Sequence, residues 1–223
     1  MLMENVVQNE LRGLYLVTPN WDDTDRLLAV TESALQAGVS LLQYRHKTAS
    51  KELRLTQAKA LHDLCRRFQV PLIINDHVYL CLDIDAEGVH VGGTDISVAQ
   101  ARALVGDQEI VGASCYGDLR LAHAAQEQGA NYVAFGGFYP SQVKQYPVTT
   151  SPDIIAAAKH DIRLPIVVIG GMTVDLARPL VQGGADMVAA ISSVYNAADP
   201  GYICKEFIAL FQQSTTQQVF PVV

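Results

Sequence analysis

Short apolar runs recur along this chain, and each is followed by a stretch with helical spacing. The runs fall at 14–18, 39–47, 71–76, 88–93, 110–114, 132–135, 166–169 and 187–191. The intervening helices are predicted over 22–37, 50–68, 78–82, 98–104, 119–128, 153–159 and 174–182, with a last one over 202–211. The runs are continuously apolar rather than alternating, which means burial on both faces and a parallel sheet. Eight strand–helix units of this kind close into a (β/α)8 barrel of the TIM type, as a single α/β domain over 1–223. The triplets Ala37-Gly38-Val39, Gly129-Ala130-Asn131 and Gly184-Ala185-Asp186 precede the second, sixth and eighth runs as a weak internal repeat. The competing arrangement is an open doubly wound sheet, but no GxGxxG follows the first run and the sheet would need many strands.

The second run turns polar at its end, Gln43-Tyr44-Arg45-His46-Lys47. Strand side chains alternate between faces, so Gln43, Arg45 and Lys47 share one face while Leu42, Tyr44 and His46 point toward covering helices. In a parallel barrel every strand opens at its C-terminal end onto one mouth, where ligands bind. The polar residues expected there are Gln43, Arg45, Lys47, Asn75, Asp76, Asp95, Ser114, Lys144, Gly171 and Ser192. Asp76 ends the third run and Asp95 follows the glycine turn after the fourth, so neighbouring strands bring them close. Two like charges about 4 Å apart repel by roughly 4 kcal/mol at an effective dielectric near 20. A cation relieves that, and hard carboxylate oxygens suit Mg²⁺, which completes its shell with water and substrate phosphate. The alternative for each aspartate is helix capping. On the far side, Gly170-Gly171 follows the seventh run and Ile191-Ser192-Ser193 the eighth; loops at these positions are the recurrent phosphate cradle of such barrels. The alternative is plain turn chemistry. The segment 136–151 is long, Gly/Pro-punctuated and contains Lys144, as functional loops are. A basic, metal-bearing side and a neutral phosphate nest together suggest two phosphorylated small-molecule ligands.

Composition narrows the partners. Of 223 residues, 16 are Lys or Arg and 23 Asp or Glu, a net charge of -7, which disfavours nucleic acid and anionic membrane surfaces. Cys65, Cys81, Cys115 and Cys204 are scattered without CxxC spacing, as expected in a reducing cytoplasm. The first residues read as neither a signal peptide nor a membrane span, and 1–11 and 214–223 read as flexible tails. A homo-oligomer is compatible with the sequence.

Over about 14–200 the chain resembles the thiamine-phosphate synthase family. The matching stretches are 43–47, 72–76, 88–95, 112–114, 139–144, 168–171 and 188–192. The resemblance implies a transferase: 4-amino-5-hydroxymethyl-2-methylpyrimidine diphosphate gives up pyrophosphate, and a thiazole phosphate, or its 2-carboxylate, takes the methylene carbon, giving thiamine phosphate. It implies that the pyrimidine ionises first and that the long loop closes as a lid. It further implies that Gln43, Arg45, Lys47 and Asn75 hold the pyrimidine diphosphate and that Ser114 reads the ring. Lys144 grips pyrophosphate, with Arg45 and Lys47 also catalytic. Asp76 and Asp95 hold Mg²⁺, and Ser141, Gln142, Val143, Gly171, Ile191 and Ser192 hold the thiazole phosphate. Three departures from the family pattern involve five positions. His46 replaces a common Glu, Ser141 and Val143 replace threonines, and Cys115-Tyr116 replaces a stretch often holding His.

Two rivals use other chemistry. A thiazole tautomerase on the same fold loses the aspartate pair and uses a His near the fifth strand; this chain keeps the pair, and His123 lies well into the following helix. A catalytically silent phosphate-binding regulator is favoured only by Val143. His90 reads as a barrel-interior histidine, Cys115 as filler, and His62 and Trp21 as structural.

Overall fold

The structure, a computed structural model, describes residues 11–93, 95–140 and 150–216. Its strands are β1 (Gly13–Val17), β2 (Leu41–Tyr44), β3 (Leu72–Asn75), β4 (Gly88–Val91), β5 (Ile110–Tyr116), β6 (Tyr132–Gly136), β7 (Ile166–Ile169) and β8 (Met187–Ala190). All pair in parallel in chain order, and β8 returns to β1 to close the barrel. The helices among the described residues are α1 (Thr24–Gln36), α2 (Lys51–Phe68), α3 (Val78–Ile84), α4 (Val98–Val105), α5 (Leu119–Glu127), α6 (Asp153–Asp161), α7 (Val174–Gln182), α8 (Ser192–Tyr195) and α9 (Pro200–Thr216).

The uninterrupted apolar runs are explained by two separate cores. Outward-facing residues such as Leu42, Ile74, Val89 and Val133 pack under the helices. Inward-facing ones, among them Leu41, Ile73, Ile110, Val167 and Met187, fill the barrel itself. A strand buried on both faces has no polar alternation to show. Local chemistry sets the ends. The Asp23 side chain accepts from the Arg26 N–H to start α1, and Ser50 does the same for α2 through Leu53.

Boundaries differ from the expected ones where polar residues enter. The second run pairs as strand only over Leu41–Tyr44, so Arg45, His46 and Lys47 lie just past its end. The cap of α4 is Ser97, in a reciprocal box with Gln100, rather than Asp95. No side-chain cap bond starts α3, whose N-cap is His77, so Asp76 caps no helix either. The four-residue α8 went unread. Leu11, expected in a tail, is buried in the inner core, and α9 runs on to residue 216, past the expected tail boundary. Among the described residues no helix is long and apolar enough to cross a membrane.

Candidate active site

The loop after β1 clamps the polar end of β2. Thr18 Oγ1 accepts from the Arg45 N–H at 2.8 Å and donates to its carbonyl at 3.2 Å, while Asn20 Oδ1 accepts from the Lys47 N–H at 3.1 Å. The predicted alternation of faces holds for Gln43, Tyr44 and His46, whereas Lys47, past the strand end, lines one cavity with Tyr44, His46 and Asp76. Tyr44 donates outward to Gln57 of α2 at 3.0 Å, and His46 turns to Asp22 at 3.0 Å in the helix layer. Gln43 points into the barrel, and Arg45 is only 8% exposed.

Asp76 follows β3 with φ of 63°, a left-handed conformation that a non-glycine residue adopts at some strain. Its N–H donates to the His90 carbonyl at 2.9 Å, which ties the turn to β4. The Asp76 carboxylate accepts from Lys47 Nζ at 2.5 Å and neighbours the Asp95 carboxyl closely enough for each to shift the other's ionisation. Asp95 is held in turn by the Gly92 N–H at 2.8 Å. The two acids titrate apart. Burial raises Asp76, but Lys47 and the Asp95 carboxyl outweigh it and hold Asp76 below its usual range. Burial and the neighbouring Asp76 push Asp95 above its own. Two carboxyls beside a single ammonium are short of positive charge when both ionise, so these residues fit a hard divalent cation. Among the described residues no group of three or more His, Cys, Asp or Glu is placed to hold a metal ion, so the protein would offer this pair and leave the remaining positions to water and phosphate. The direct Lys47–Asp76 bond was not legible in the sequence, where Lys47 was assigned only to diphosphate.

Inside the barrel, below this mouth, lies a run of buried polar contacts. Gln43 Nε2 donates to Tyr15 Oη at 2.6 Å, and Tyr15 Oη meets Tyr132 Oη at 2.6 Å. Tyr132 Oη meets His90 Nδ1 at 2.9 Å, and His90 Nε2 meets Ser114 Oγ at 2.8 Å. His90 is therefore the interior, hydrogen-bonded histidine expected. Tyr15 and Tyr132 were missed. Their signal was parity, since each is a hydroxyl on the inward face of an apolar run. Ser114 sits where β5 slips register against β6, and Cys115 is the extra residue of that bulge. Burial pushes the Cys115 thiol up to about 12, so it stays protonated and makes no nucleophile.

Opposite, β7 and β8 are paired neighbours, so Gly170-Gly171 and Ile191-Ser192 leave adjacent strands on one side of the mouth. Gly171, at φ of 63°, backs onto the Pro140 carbonyl, where a Cβ would come within 2.3 Å. Ser192 opens α8. Ser141, Gln142, Val143 and Lys144 lie outside the described residues. His123 is on α5, 3.9 Å from Asp161 of α6, away from the mouth. Trp21 stacks edge-on against Tyr195, and His62 pairs with Glu87, both in structural positions.

Comparison with known proteins supplies the lineage. The profile of the family described as "Thiamine monophosphate synthase" matches residues 14–194. A thiamine-phosphate synthase from Janthinobacterium sp. (strain Marseille) is 62% identical over 205 residues, covering 92% of this chain and 99% of that protein. One from Nitrosomonas eutropha is 46% identical over 202 residues, covering 91% and 95%. Among solved structures, the thiamine phosphate pyrophosphorylase from Pyrococcus furiosus superposes with a TM-score of 0.81 at 27% identity, over 93% of this chain and 98% of that one. The (S)-3-O-geranylgeranylglyceryl phosphate synthase from Thermoplasma acidophilum, at 16% identity and a TM-score of 0.70, shares the fold alone. With a profile spanning most of the barrel and a near-full-length relative identical at more than three positions in five, the chain belongs to the thiamine monophosphate synthase family, a family of enzymes that use a divalent metal ion.

Proposed function

We propose that this protein joins 4-amino-5-hydroxymethyl-2-methylpyrimidine diphosphate to a thiazole phosphate, forming thiamine phosphate and releasing pyrophosphate. The observation that carries the site assignment is the meeting of Lys47, Asp76 and Asp95, from three different loops, at the C-terminal ends of β2, β3 and β4. In the reaction the bond between the pyrimidine methylene and the diphosphate oxygen breaks, and its electron pair leaves with pyrophosphate. The thiazole nitrogen lone pair then forms the new carbon–nitrogen bond. Negative charge gathers on the departing oxygens, so cations placed there beforehand stabilise the transition state more than the ground state.

Arg45, nearly buried and with its backbone clamped by Thr18, supplies such a charge on a fixed stem. Lys47 supplies a second, and Lys144 a third in this reading. Gln43 and Asn75 flank the pyrimidine from below, with Ser114 against the ring. Asp76 and Asp95 hold Mg²⁺, which when bound neutralises diphosphate oxygens. Ser141, Gln142, Val143, Gly171, Ile191 and Ser192 receive the thiazole phosphate. The backbone amides of a glycine turn bind an anion without a charged side chain.

The test is a two-substrate assay of purified protein with and without Mg²⁺. Thiamine phosphate and pyrophosphate are expected in equal amounts, and only with the divalent ion. Asp76→Ala should be very slow and insensitive to Mg²⁺. A wild-type protein that never joins the two heterocycles overturns the reading, and a Mg²⁺ response unchanged in Asp76→Ala overturns the metal assignment.

A further inference from the structure

The buried contacts between Gln43 and Ser114 have a direction, because each hydroxyl has one hydrogen to give. Gln43 Nε2 donates to Tyr15 Oη, so the Tyr15 hydrogen is left for its other contact, Tyr132 Oη. Tyr132, having accepted, passes its own hydrogen to His90 Nδ1. An imidazole that accepts at Nδ1 is neutral and carries its proton on Nε2, and that proton goes to Ser114 Oγ. Ser114 then has its hydroxyl hydrogen left to offer. A protonated His90, or the other tautomer, would donate to Tyr132 instead. Tyr132 would then turn its hydrogen on Tyr15, which already accepts from Gln43 and would be left with a buried hydrogen and no further acceptor among the described residues. An unsatisfied buried donor costs about 1–3 kcal/mol, so this direction is disfavoured. The phenols are suited to the part, since burial holds both well above the usual tyrosine range and keeps them protonated.

The packing is built around this line. Tyr15 and Tyr132 meet edge to face, with ring centroids 5.6 Å apart, and His90 stacks on Tyr132 at the same separation. Gly112 leaves the space that the Tyr132 ring fills, since a Cβ there would stand 1.9 Å from Tyr132 Cζ.

We propose that Tyr15, Tyr132 and His90 form a one-way hydrogen-bond relay that makes Ser114 an obligatory donor toward the mouth, so that the ring held there must present a hydrogen-bond acceptor, as a pyrimidine nitrogen does. The three are positioning residues, and the proposal rests on the reading that Ser114 faces the pyrimidine.

Two measurements test it. The first needs no turnover: ¹⁵N–¹H spectra of the wild-type protein with labelled histidine. His90 is expected as the neutral Nε2–H tautomer; an Nδ1–H tautomer or an imidazolium reverses the relay and overturns the proposal. The second compares the pyrimidine diphosphate with its two analogues in which one ring nitrogen is replaced by C–H. Wild type is expected to disfavour one analogue by about tenfold or more in kcat/KM, a typical effect of losing a buried hydrogen-bond partner. Tyr132→Phe and Tyr15→Phe should shrink that discrimination to about threefold or less, leave the KM for the thiazole phosphate unchanged, and add nothing when combined with Ser114→Ala. Discrimination fully kept in both Phe variants overturns the relay while leaving the synthase reading intact. Failure of the wild type to make thiamine phosphate overturns the synthase reading, and the tautomer still reports the relay's direction.

Discussion

Asp76 is held by opposing demands. Its left-handed backbone and its contact with a second carboxyl both work against the fold, while Lys47 and the Asp76 N–H bond to β4 work for it. The sequence predicted that the two acids approach, because they end neighbouring strands. It could not say which ionises more readily, since that depends on an ammonium 29 positions away from Asp76. Asp95, raised, binds its proton more tightly folded than unfolded, so its contribution to stability falls as pH rises from the ordinary carboxylate range through its raised pKa. Asp76, lowered, acts in the opposite sense: its contribution is full above the unfolded value and is lost as pH falls through the folded one. Asp95→Asn removes the ionisation penalty and keeps an oxygen for the Gly92 N–H. In metal-free protein at neutral pH it should therefore raise Tm by about 2–4 °C, for roughly 1 kcal/mol of relieved repulsion in a partly exposed pair. The gain should vanish below the carboxylate range, and Mg²⁺ should no longer stabilise the variant. Thermal melts in chelator across pH check this; a drop in metal-free Tm at neutral pH would contradict the strain of ionising Asp95 beside Asp76.

At the scale of elements, the strands were legible because both of their faces are buried, and the helices because glycines and caps punctuate them. The ends were less so. Arg45 and Lys47 looked like strand residues because the apolar run leads straight into them, yet ladder pairing stops at Tyr44 and the β1 loop takes over. Ser97 and Asp95 are both good caps, and only the three-dimensional turn leaves Asp95 bonded to Gly92 and Ser97 facing α4. β5 and β6 show the same limit from the packing side, at Gly112 inside β5, whose role no local pattern announces. Its backbone needs no unusual conformation; what it lacks is a Cβ in the path of Tyr132. Gly112→Ala should displace that ring, lower stability by about 1–3 kcal/mol as overpacking does, and reduce kcat/KM for the pyrimidine substrate more than for the thiazole. Melting and steady-state kinetics measure both, and a variant matching wild type in each would show that the ring yields freely.

At the scale of the molecule, pairing of β8 with β1 divides the apolar residues into a barrel filling and an outer layer. The barrel filling lies beneath the mouth and is itself mostly apolar. Ile73, wholly buried there, should cost about 2–5 kcal/mol when changed to Ala. Tm should fall by several degrees or more while the Mg²⁺ dependence of turnover below the transition stays as in wild type. A changed metal response at low temperature would mean that the barrel filling and the acid pair are coupled.

The residues alone determined the repeating strand–helix order, the parallel barrel, which face of the second strand Gln43 takes, and the expectation that Arg45, Lys47, Asp76 and Asp95 gather at one end. Those follow from periodicity and chain order, which are local properties. Only the folded chain decided that Lys47 sits on Asp76, that Asp95 is harder to ionise than Asp76, and that Tyr15, Tyr132 and His90 connect Gln43 to Ser114. Such contacts depend on distances of a few tenths of an ångström between residues far apart in the chain, and on burial, which sets the strength of each charge and hydrogen bond only after the barrel has closed.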